Sequence, residues 1–276
     1  MEIRKKTQYL IFLVAYFLLL TLVSPLITVL VFPEVEAFAY ITQLFPFALA
    51  LGITSIIYKK LTGESIFKLY TLGRKFSFKR FFTVFATTLA IGAISVVMNR
   101  SDYHFTTEPW TVVTLSILLT LLLMPLQVMA EEMLFRCIPL RIVTEGRKPE
   151  SGKEKAVAIM FSALLFASMH LGNPEIKSIG IPVILVYFAI GGALMLFTVL
   201  EGGFESALAY HAANNLFLAI GANYSSEVTV LKSSPLFIST GEFNILYSLL
   251  EFLVITAAIL LVIKFQKIEA KEKKNG

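Results

Sequence analysis

Long uninterrupted apolar runs are the feature of this sequence that most restricts its fold. A bilayer core takes roughly 20 helical residues to cross, so an apolar run of about 18 or more residues predicts a membrane-spanning helix. Hydrophobic residues make up 57% of the chain and charged residues only 16%, and the mean hydropathy is +0.77. The predicted fold class is all-α, a polytopic membrane helix bundle. A β-barrel is disfavoured because its strands would alternate apolar and polar residues over about ten-residue segments.

Eight spans can be placed along the sequence, and together they predict one integral-membrane domain over residues 1–276. Their approximate bounds are 9–32, 38–58, 80–98, 111–140, 156–170, 180–200, 204–221 and 244–264. Lysine and arginine gather at both chain ends and in the loops 59–80 and 141–155. The alternate loops are poor in both residue types: 33–37, 99–110, 171–179 and 222–243. Since Lys and Arg favour the cytoplasmic side, this pattern predicts a multi-pass cell-membrane protein with both termini in the cytoplasm.

The remaining charge signals concern the membrane surface. The net charge of +5 reflects basic loops that face anionic lipid, so the lipid bilayer is an expected partner and nucleic acid is not. The basic N-terminus followed by a long apolar run predicts an uncleaved first span rather than a signal peptide. The segment FKLYTLGRKFSFKRFF (67–82) interleaves aromatics with cations. It fits either a helix lying at the headgroup level or a solvated loop anchored by its aromatics.

Ionisable side chains inside the predicted spans are the main functional signal, because charge is expensive at membrane depth. The set is Glu131, Glu132, Arg136, His170, His211 and Glu251. At about 1.5 Å per residue, Glu131 lies roughly 15 Å before the basic loop that starts near residue 141. His170 and His211 fall in the same slab of the membrane by the same count, whereas Glu251 lies about 10 Å from the opposite face. We therefore expect one shared site and a structural role for Glu251.

Residue spacing refines this expected site. Glu132 and Arg136 are four residues apart and are expected to pair on one helix face. Glu131 points about 100° away, which leaves it free for chemistry. His211 and Asn215 also share a face. A carboxylate, two imidazoles, a carboxamide and a neutralised ion pair are suited to activating water and stabilising an oxyanion. Each group alone is compatible with a structural role in helix packing, and their common depth favours a functional site.

Three ordered motifs in these helices resemble a known family. They are EEMLFR (131–136), FASMH (166–170) and HAANN (211–215). They look like the EExxxR, FxxxH and HxxxN motifs of the CAAX prenyl protease and bacteriocin-processing family, also called type II CAAX proteases or abortive-infection proteins. The resemblance covers roughly residues 120–217, which we interpret as the catalytic core, and no comparable signature occurs on either side of it.

The resemblance implies an intramembrane endopeptidase of the glutamate type. Glu131 would be the general base that activates water, and His170 would help to hold or polarise that water. His211 and Asn215 would donate hydrogen bonds to the tetrahedral oxyanion. The charged pair of the first motif would shape the site, with its glutamate also available for proton handling: Glu132 and Arg136. The expected substrates are prenylated CAAX-type protein tails or other membrane-associated peptides.

One position departs from the family pattern, and one mechanistic alternative stays open. Members commonly have a small residue after the Arg, where this chain has Cys137, for which we expect inert packing. As the single cysteine, it also excludes an internal disulfide. Glu131, His170 and His211 are a conceivable His₂Glu zinc set. The sequence has no HExxH motif, and the two histidines lie on different helices, so a site without a metal cofactor is favoured.

Two functions of other classes remain as alternatives. The first is a non-catalytic bacteriocin self-immunity or membrane scaffold protein that binds a toxin or partner through the same fold. The second is a proton-coupled transporter that uses the buried Glu and His residues. Against the transporter, the sequence shows no interrupted helices in two repeated halves.

Overall fold

A computed structural model of the protein describes residues 2–32, 39–72, 74–224, 233, 235–241 and 244–275, and most of this length is helical. The α-helices are α1 Glu2–Leu18, α2 Ser24–Val31, α3 Ala39–Thr62, α4 Phe78–Met98, α5 Trp110–Glu132, α6 Ile138–Thr144, α7 Gly152–Met169, α8 Pro174–Ser178, α9 Val183–Glu201, α10 Glu205–Leu216 and α11 Ile245–Asn275. Three π-helical turns continue helices without a break: Leu19–Val23, Met133–Cys137 and Phe217–Gly221. Two short 3₁₀ helices lie at Ile66–Tyr70 and Arg100–Asp102.

Membrane-spanning helices dominate the described part of the chain, as the apolar runs predict. Six segments in it are long and apolar enough to cross a bilayer: Lys5–Val31, Ala39–Thr62, Phe78–Met98, Trp110–Thr144, Val183–Glu201 and Ile245–Ile268. The prediction of an all-α multi-pass membrane bundle is confirmed. The predicted number of eight spans is not confirmed.

The two predicted spans outside this set, 156–170 and 204–221, are helical but are not long and apolar enough to be counted with the six. α7 opens with three consecutive charged residues, and its start is fixed by a capping box between Ser151 and Glu154. α10 has only 12 residues, and most of them are buried among the other helices. Because α10 is surrounded by protein, it carries polar side chains that a lipid-facing helix would not tolerate.

The centre of the bundle is the long helix formed by α5, the π-helical turn Met133–Cys137 and α6. α3 packs along α5, α1 packs along α6, and α10 contacts α4, α5 and α9. Hydrogen bonds fix this arrangement at depth: the hydroxyl of Tyr16 donates to the carbonyl of Ala130 at 3.1 Å. α7 and α9 approach each other closely, and Ser162 donates to the carbonyl of Gly191 at 3.2 Å.

A small sheet, which the sequence did not predict, joins two loops at one end of the bundle. Its strands are β1 Tyr103–Phe105, β2 Ala222–Tyr224 and β3 Phe237–Ser239. β3 lies in the middle, antiparallel to β1 and parallel to β2. The predicted loops 99–110 and 222–243 therefore meet at this end, which we call the strand face. The predicted loop 33–37 and parts of the loop 222–243 lie outside the described residues.

The opposite end carries the basic loops 59–80 and 141–155, and we call it the basic face. Segment 67–82 was expected to be either a helix at the headgroup level or a solvated loop. Before α4, only the short helix Ile66–Tyr70 corresponds to the first interpretation. The chain then runs irregularly until α4 begins at Phe78. This segment is tied to the bundle by Tyr70, whose hydroxyl donates to the carbonyl of Met129 at 2.7 Å, and by Arg74, which pairs with Glu205.

Candidate active site

Glu132 and Arg136 form a buried ion pair where α5 passes into the π-helical turn. Both side chains are 0% exposed, and the guanidinium Nη1 lies 3.0 Å from the Oε1 of Glu132. The guanidinium also lies over the ring of Phe166, 4.6 Å from its centroid, in a cation–π contact. The predicted pairing at i,i+4 is confirmed. The π-helical turn itself is of a kind that is often found at functional sites.

His211, on α10, connects the two glutamates. Its Nδ1 lies 2.7 Å from the Oε1 of Glu132, and its Nε2 lies 3.3 Å from the Oε2 of Glu131. With a carboxylate oxygen facing each ring nitrogen, the arrangement is complementary to an imidazole that donates on both sides. The expectation that Glu131 is free is therefore wrong, because this carboxylate is held by hydrogen-bonding neighbours.

An amide chain holds the other side of Glu131. The Nε2 of Gln127 donates to the Oε1 of Glu131 at 2.5 Å, and the Nδ2 of Asn215 donates to the Oε1 of Gln127 at 3.2 Å. Asn214 in turn donates to Asn215 at 3.3 Å. Gln127 was not predicted from the sequence as a site residue. Its signal was available, since an amide four residues before Glu131 lies on the same helix face.

His170 lies at the end of α7, where the helix stops and the ring turns into the bundle. Its Nδ1 lies 2.7 Å from the carbonyl of Phe166, which can only accept, so Nδ1 carries the proton and Nε2 the lone pair. The ring stacks on Tyr187 with centroids 4.3 Å apart. Tyr187, which the sequence analysis did not single out, is oriented by a hydrogen bond that Asn173 donates to its hydroxyl.

One cavity of about 330 Å³ collects these groups. Glu131, His170, His211 and Asn215 all line it, together with apolar side chains of several helices. Glu132 and Arg136 are not among the lining residues but lie behind His211. The six residues predicted from the sequence therefore come together in space, four at the cavity wall and two in support. A carboxylate beside imidazole and amide donors is equipped to take a proton from water and to stabilise an oxyanion.

Two other residues from the sequence analysis lie outside this cavity. Glu251 lines a second cavity of about 310 Å³ towards the strand face, where its carboxylate accepts a hydrogen bond from Ser95. The two cavities share a wall that includes Tyr187 and Asn214. Cys137 is fully buried and contacts neither cavity.

Metal binding was the open mechanistic alternative. Within the described ranges, no three His, Cys, Asp or Glu side chains group closely enough to hold a metal ion together. The Oε1 of Glu132 is directed at both Arg136 and His211, and Nε2 of His211 is directed at Glu131. The site without a metal cofactor stays a prediction.

Comparison with known proteins agrees with the resemblance seen in the motifs. Residues 110–217 match the family model described as "Type II CAAX prenyl endopeptidase Rce1-like". The uncharacterized protein YyaK of Bacillus subtilis (strain 168) is 28% identical over 147 residues, which cover 53% of this chain and 47% of YyaK. The chain thus spans about half the length of the curated relative that it matches. No solved structure matches the chain.

Proposed function

We propose, from the premise that residues 110–217 form an Rce1-like type II CAAX prenyl endopeptidase domain, that the protein is an intramembrane endopeptidase using a glutamate-activated water. The observation that carries this proposal is the meeting of Glu131, His170, His211 and Asn215 at one cavity of about 330 Å³. These residues come from three separate helices. Hydrolysis of a peptide bond requires a base and oxyanion donors held close together, as they are at this cavity.

Glu131 and His170 activate the water. The lone pair on Nε2 of His170 accepts a hydrogen bond from a water molecule in the cavity, because the Nδ1 proton is engaged by the carbonyl of Phe166. Glu131 then takes a proton from that water as its oxygen attacks the peptide carbonyl carbon. The same carboxyl group later returns the proton to the leaving amine.

His211 and Asn215 stabilise the oxyanion that this attack creates. Before the reaction, Nε2 of His211 faces the carboxylate of Glu131 at 3.3 Å. When Glu131 is protonated it loses its negative charge, and the N–H of His211 becomes available to the developing oxyanion. Donors fixed in a low-dielectric site act more strongly than in water, and one such donor is typically worth about 10²–10³ in rate. Glu132 and Arg136 hold the ring of His211 in this position.

The substrates that fit the site are prenylated C-terminal tails or other membrane-associated peptides. The cavity lies within the helix bundle and is lined mainly by apolar side chains. An apolar lipid attached to a peptide would enter between helices from the bilayer, and the peptide would follow from the basic face. This entry requires no soluble binding groove.

Replacement of one carboxylate tests the proposed mechanism. Purified Glu131→Gln, tested against a panel of prenylated and leader peptides, is expected to lose about 10²–10⁴-fold in kcat because the general base is removed. Glu251→Gln is the matched control, since it changes another carboxylate of the bundle outside the site cavity. Cleavage products are identified by mass spectrometry.

Undiminished cleavage by Glu131→Gln would overturn the mechanism. If cleavage stops when metal ions are chelated and returns when Zn²⁺ is added, the site depends on a metal and the proposed metal-free mechanism is wrong. A bacteriocin-protection phenotype that survives Glu131→Gln at unchanged expression would favour the non-catalytic immunity or scaffold function.

A further inference from the structure

A pocket of about 680 Å³ on the basic face is strongly cationic. We call it the cationic pocket. Its lining includes six Lys and Arg side chains: Lys68, Arg74, Lys75, Arg141, Arg147 and Lys148. Its lining holds one carboxylate, Glu64, which pairs with Lys68 at 2.7 Å. Positive charge is therefore concentrated in a concave site rather than spread over a solvated surface.

Three of these cations have carboxylate partners at or near the rim. Besides the Lys68 pair, Arg74 pairs with Glu205, and Arg147 pairs with Glu154. The hydrogen bond from Arg147, with two backbone N–H donors, lowers the pKa of Glu154 to about 2, so this pair is fully ionised near neutral pH. No carboxylate in the described part of the chain lies within 4.0 Å of the other three cations: Lys75, Arg141 and Lys148.

Arg141 is the built-in element of the pocket. Its residue is only 7% exposed, yet its guanidinium has backbone carbonyls rather than a carboxylate as partners. Nη1 donates to the carbonyl of Cys137 at 3.0 Å, and Nη2 donates to the carbonyl of Lys68 at 3.5 Å. A buried cation without a counter-charge is costly. An anion held in the cationic pocket would supply that charge.

We propose that the cationic pocket binds the phosphate group of an anionic phospholipid. A guanidinium fork with two flanking ammonium groups matches the oxygens and the charge of a phosphate. A phospholipid is the favoured source because Tyr9 and Tyr58, from spanning helices, also line the pocket, and tyrosines of this kind lie at headgroup level. The acyl chains would remain in the bilayer beside α1 and α3.

The cationic pocket is directly connected to the helix that carries the site glutamates. Arg141 lies on α6 and binds the carbonyl of Cys137, the last residue of the π-helical turn. Lys68 belongs to the short helix Ile66–Tyr70, whose Tyr70 donates to the carbonyl of Met129. A bound phosphate would therefore be linked to the main chain on both sides of the two glutamates. Lipid binding itself does not depend on the proposed endopeptidase activity.

Lipid binding by the purified full chain tests the proposal. Native mass spectrometry in detergent compares retention of dioleoylphosphatidylglycerol with that of dioleoylphosphatidylcholine, and inorganic phosphate is added as a competitor. We expect preferential retention of phosphatidylglycerol. Removing one cation is expected to weaken this binding roughly fivefold, and Lys75→Gln with Lys148→Gln about 25-fold. Lys59→Gln with Lys60→Gln is the matched control, because both lysines are exposed on the same face outside the cationic pocket.

Weaker binding of phosphatidylglycerol by Lys75→Gln with Lys148→Gln, but not by the Lys59 and Lys60 control, supports the proposal. Weaker binding by Arg141→Gln that Arg141→Lys partly restores also supports it. Lys75 and Lys148 are exposed, so replacing them is not expected to disturb folding. The lysine variants therefore test the proposal even if Arg141→Gln does not fold. Equal retention of the two lipids would overturn the proposal. So would an equal loss of phosphatidylglycerol binding in the Lys75/Lys148 variant and in the Lys59/Lys60 control. Displacement of the lipid by millimolar inorganic phosphate would assign the pocket to free phosphate instead.

Discussion

At the scale of residues, His211 assembles the site. One imidazole contacts the carboxylates of two consecutive residues, Glu131 and Glu132, although successive side chains on a helix point about 100° apart. The ring lies between these two directions on a neighbouring helix and so fixes both carboxylates. Glu132 is then shared between His211 and Arg136, which makes it a link between the cavity wall and the buried guanidinium.

Arg136→Met is expected to destabilise the protein by about 3–5 kcal/mol, because it leaves the fully buried Glu132 without its cation. The double variant Arg136→Met with Glu132→Gln is expected to recover part of this loss, since no uncompensated charge remains. Thermal unfolding of the purified variants in detergent measures both. Equal destabilisation by the single and the double variant would contradict a charge-compensation role.

The sequence predicts contacts within one helix better than contacts between helices. The Glu132–Arg136 pair follows from i,i+4 spacing on one continuous helix. The contacts of His211 do not, because no spacing rule relates positions 79 residues apart. Depth counting places the groups in the same slab of the membrane without saying which atoms meet. The contact of Gln127 with Glu131 follows the i,i+4 rule but was not predicted.

At the scale of elements, the close approach of α7 and α9 positions His170. Gly191 is the point of contact: a Cβ added there would lie 2.8 Å from the Cβ of Phe166 and 3.0 Å from the Cα of Ala163. The first of these atoms belongs to the residue whose carbonyl holds His170. The packing distance between the two helices therefore sets the position of an active-site ring.

Gly191→Ala is expected to destabilise the protein by about 1–3 kcal/mol through overpacking, and to lower cleavage as Phe166 and His170 are displaced. Gly192→Ala is the matched control, because its added Cβ would meet its nearest neighbours at 3.6 Å and 3.7 Å, ordinary van der Waals distances. Thermal unfolding and the peptide cleavage assay measure the two effects. Similar behaviour of the two variants would contradict this role of Gly191.

α10 also shows why the predicted number of eight spans is not confirmed. Residues 204–221 are predicted as a membrane span from their apolar content. In the structure this helix is surrounded by other helices, so its polar residues face protein and the site cavity. Hydropathy alone does not separate burial in lipid from burial in protein. The three-residue strands were missed because they are too short to show an alternating pattern.

At the scale of the whole molecule, the two ends of the bundle differ in chemistry. The basic face carries the loops rich in Lys and Arg, and the strand face carries the small sheet that joins residues 103–105, 222–224 and 237–239. Within the described residues, parts of the loops 59–80 and 141–155 meet at the basic face, and parts of the loops 99–110 and 222–243 meet at the strand face. By the distribution of Lys and Arg, the basic face is expected in the cytoplasm.

Cysteine labelling in cells tests this orientation. Cys137 is buried, so Cys137→Ser provides a background for single cysteines at exposed positions. With a membrane-impermeant maleimide, Ser101→Cys on the strand face is expected to react in intact cells. Lys153→Cys, in the basic loop 141–155, is expected to react only in inverted membrane vesicles. The opposite labelling pattern would reverse the predicted topology.

The π-helical turn Met133–Cys137 has a consequence for the angular phase of the central helix. Arg141 follows Glu131 by ten residues, and a regular α-helix, at about 100° per residue, would place the two side chains only about 80° apart. A π-helical turn holds about one residue more than an α-helical turn. It therefore rotates Arg141 to about 180° from Glu131. Because of this rotation, one continuous helix directs the carboxylate of Glu131 to the site cavity and the guanidinium of Arg141 to the cationic pocket on the opposite side.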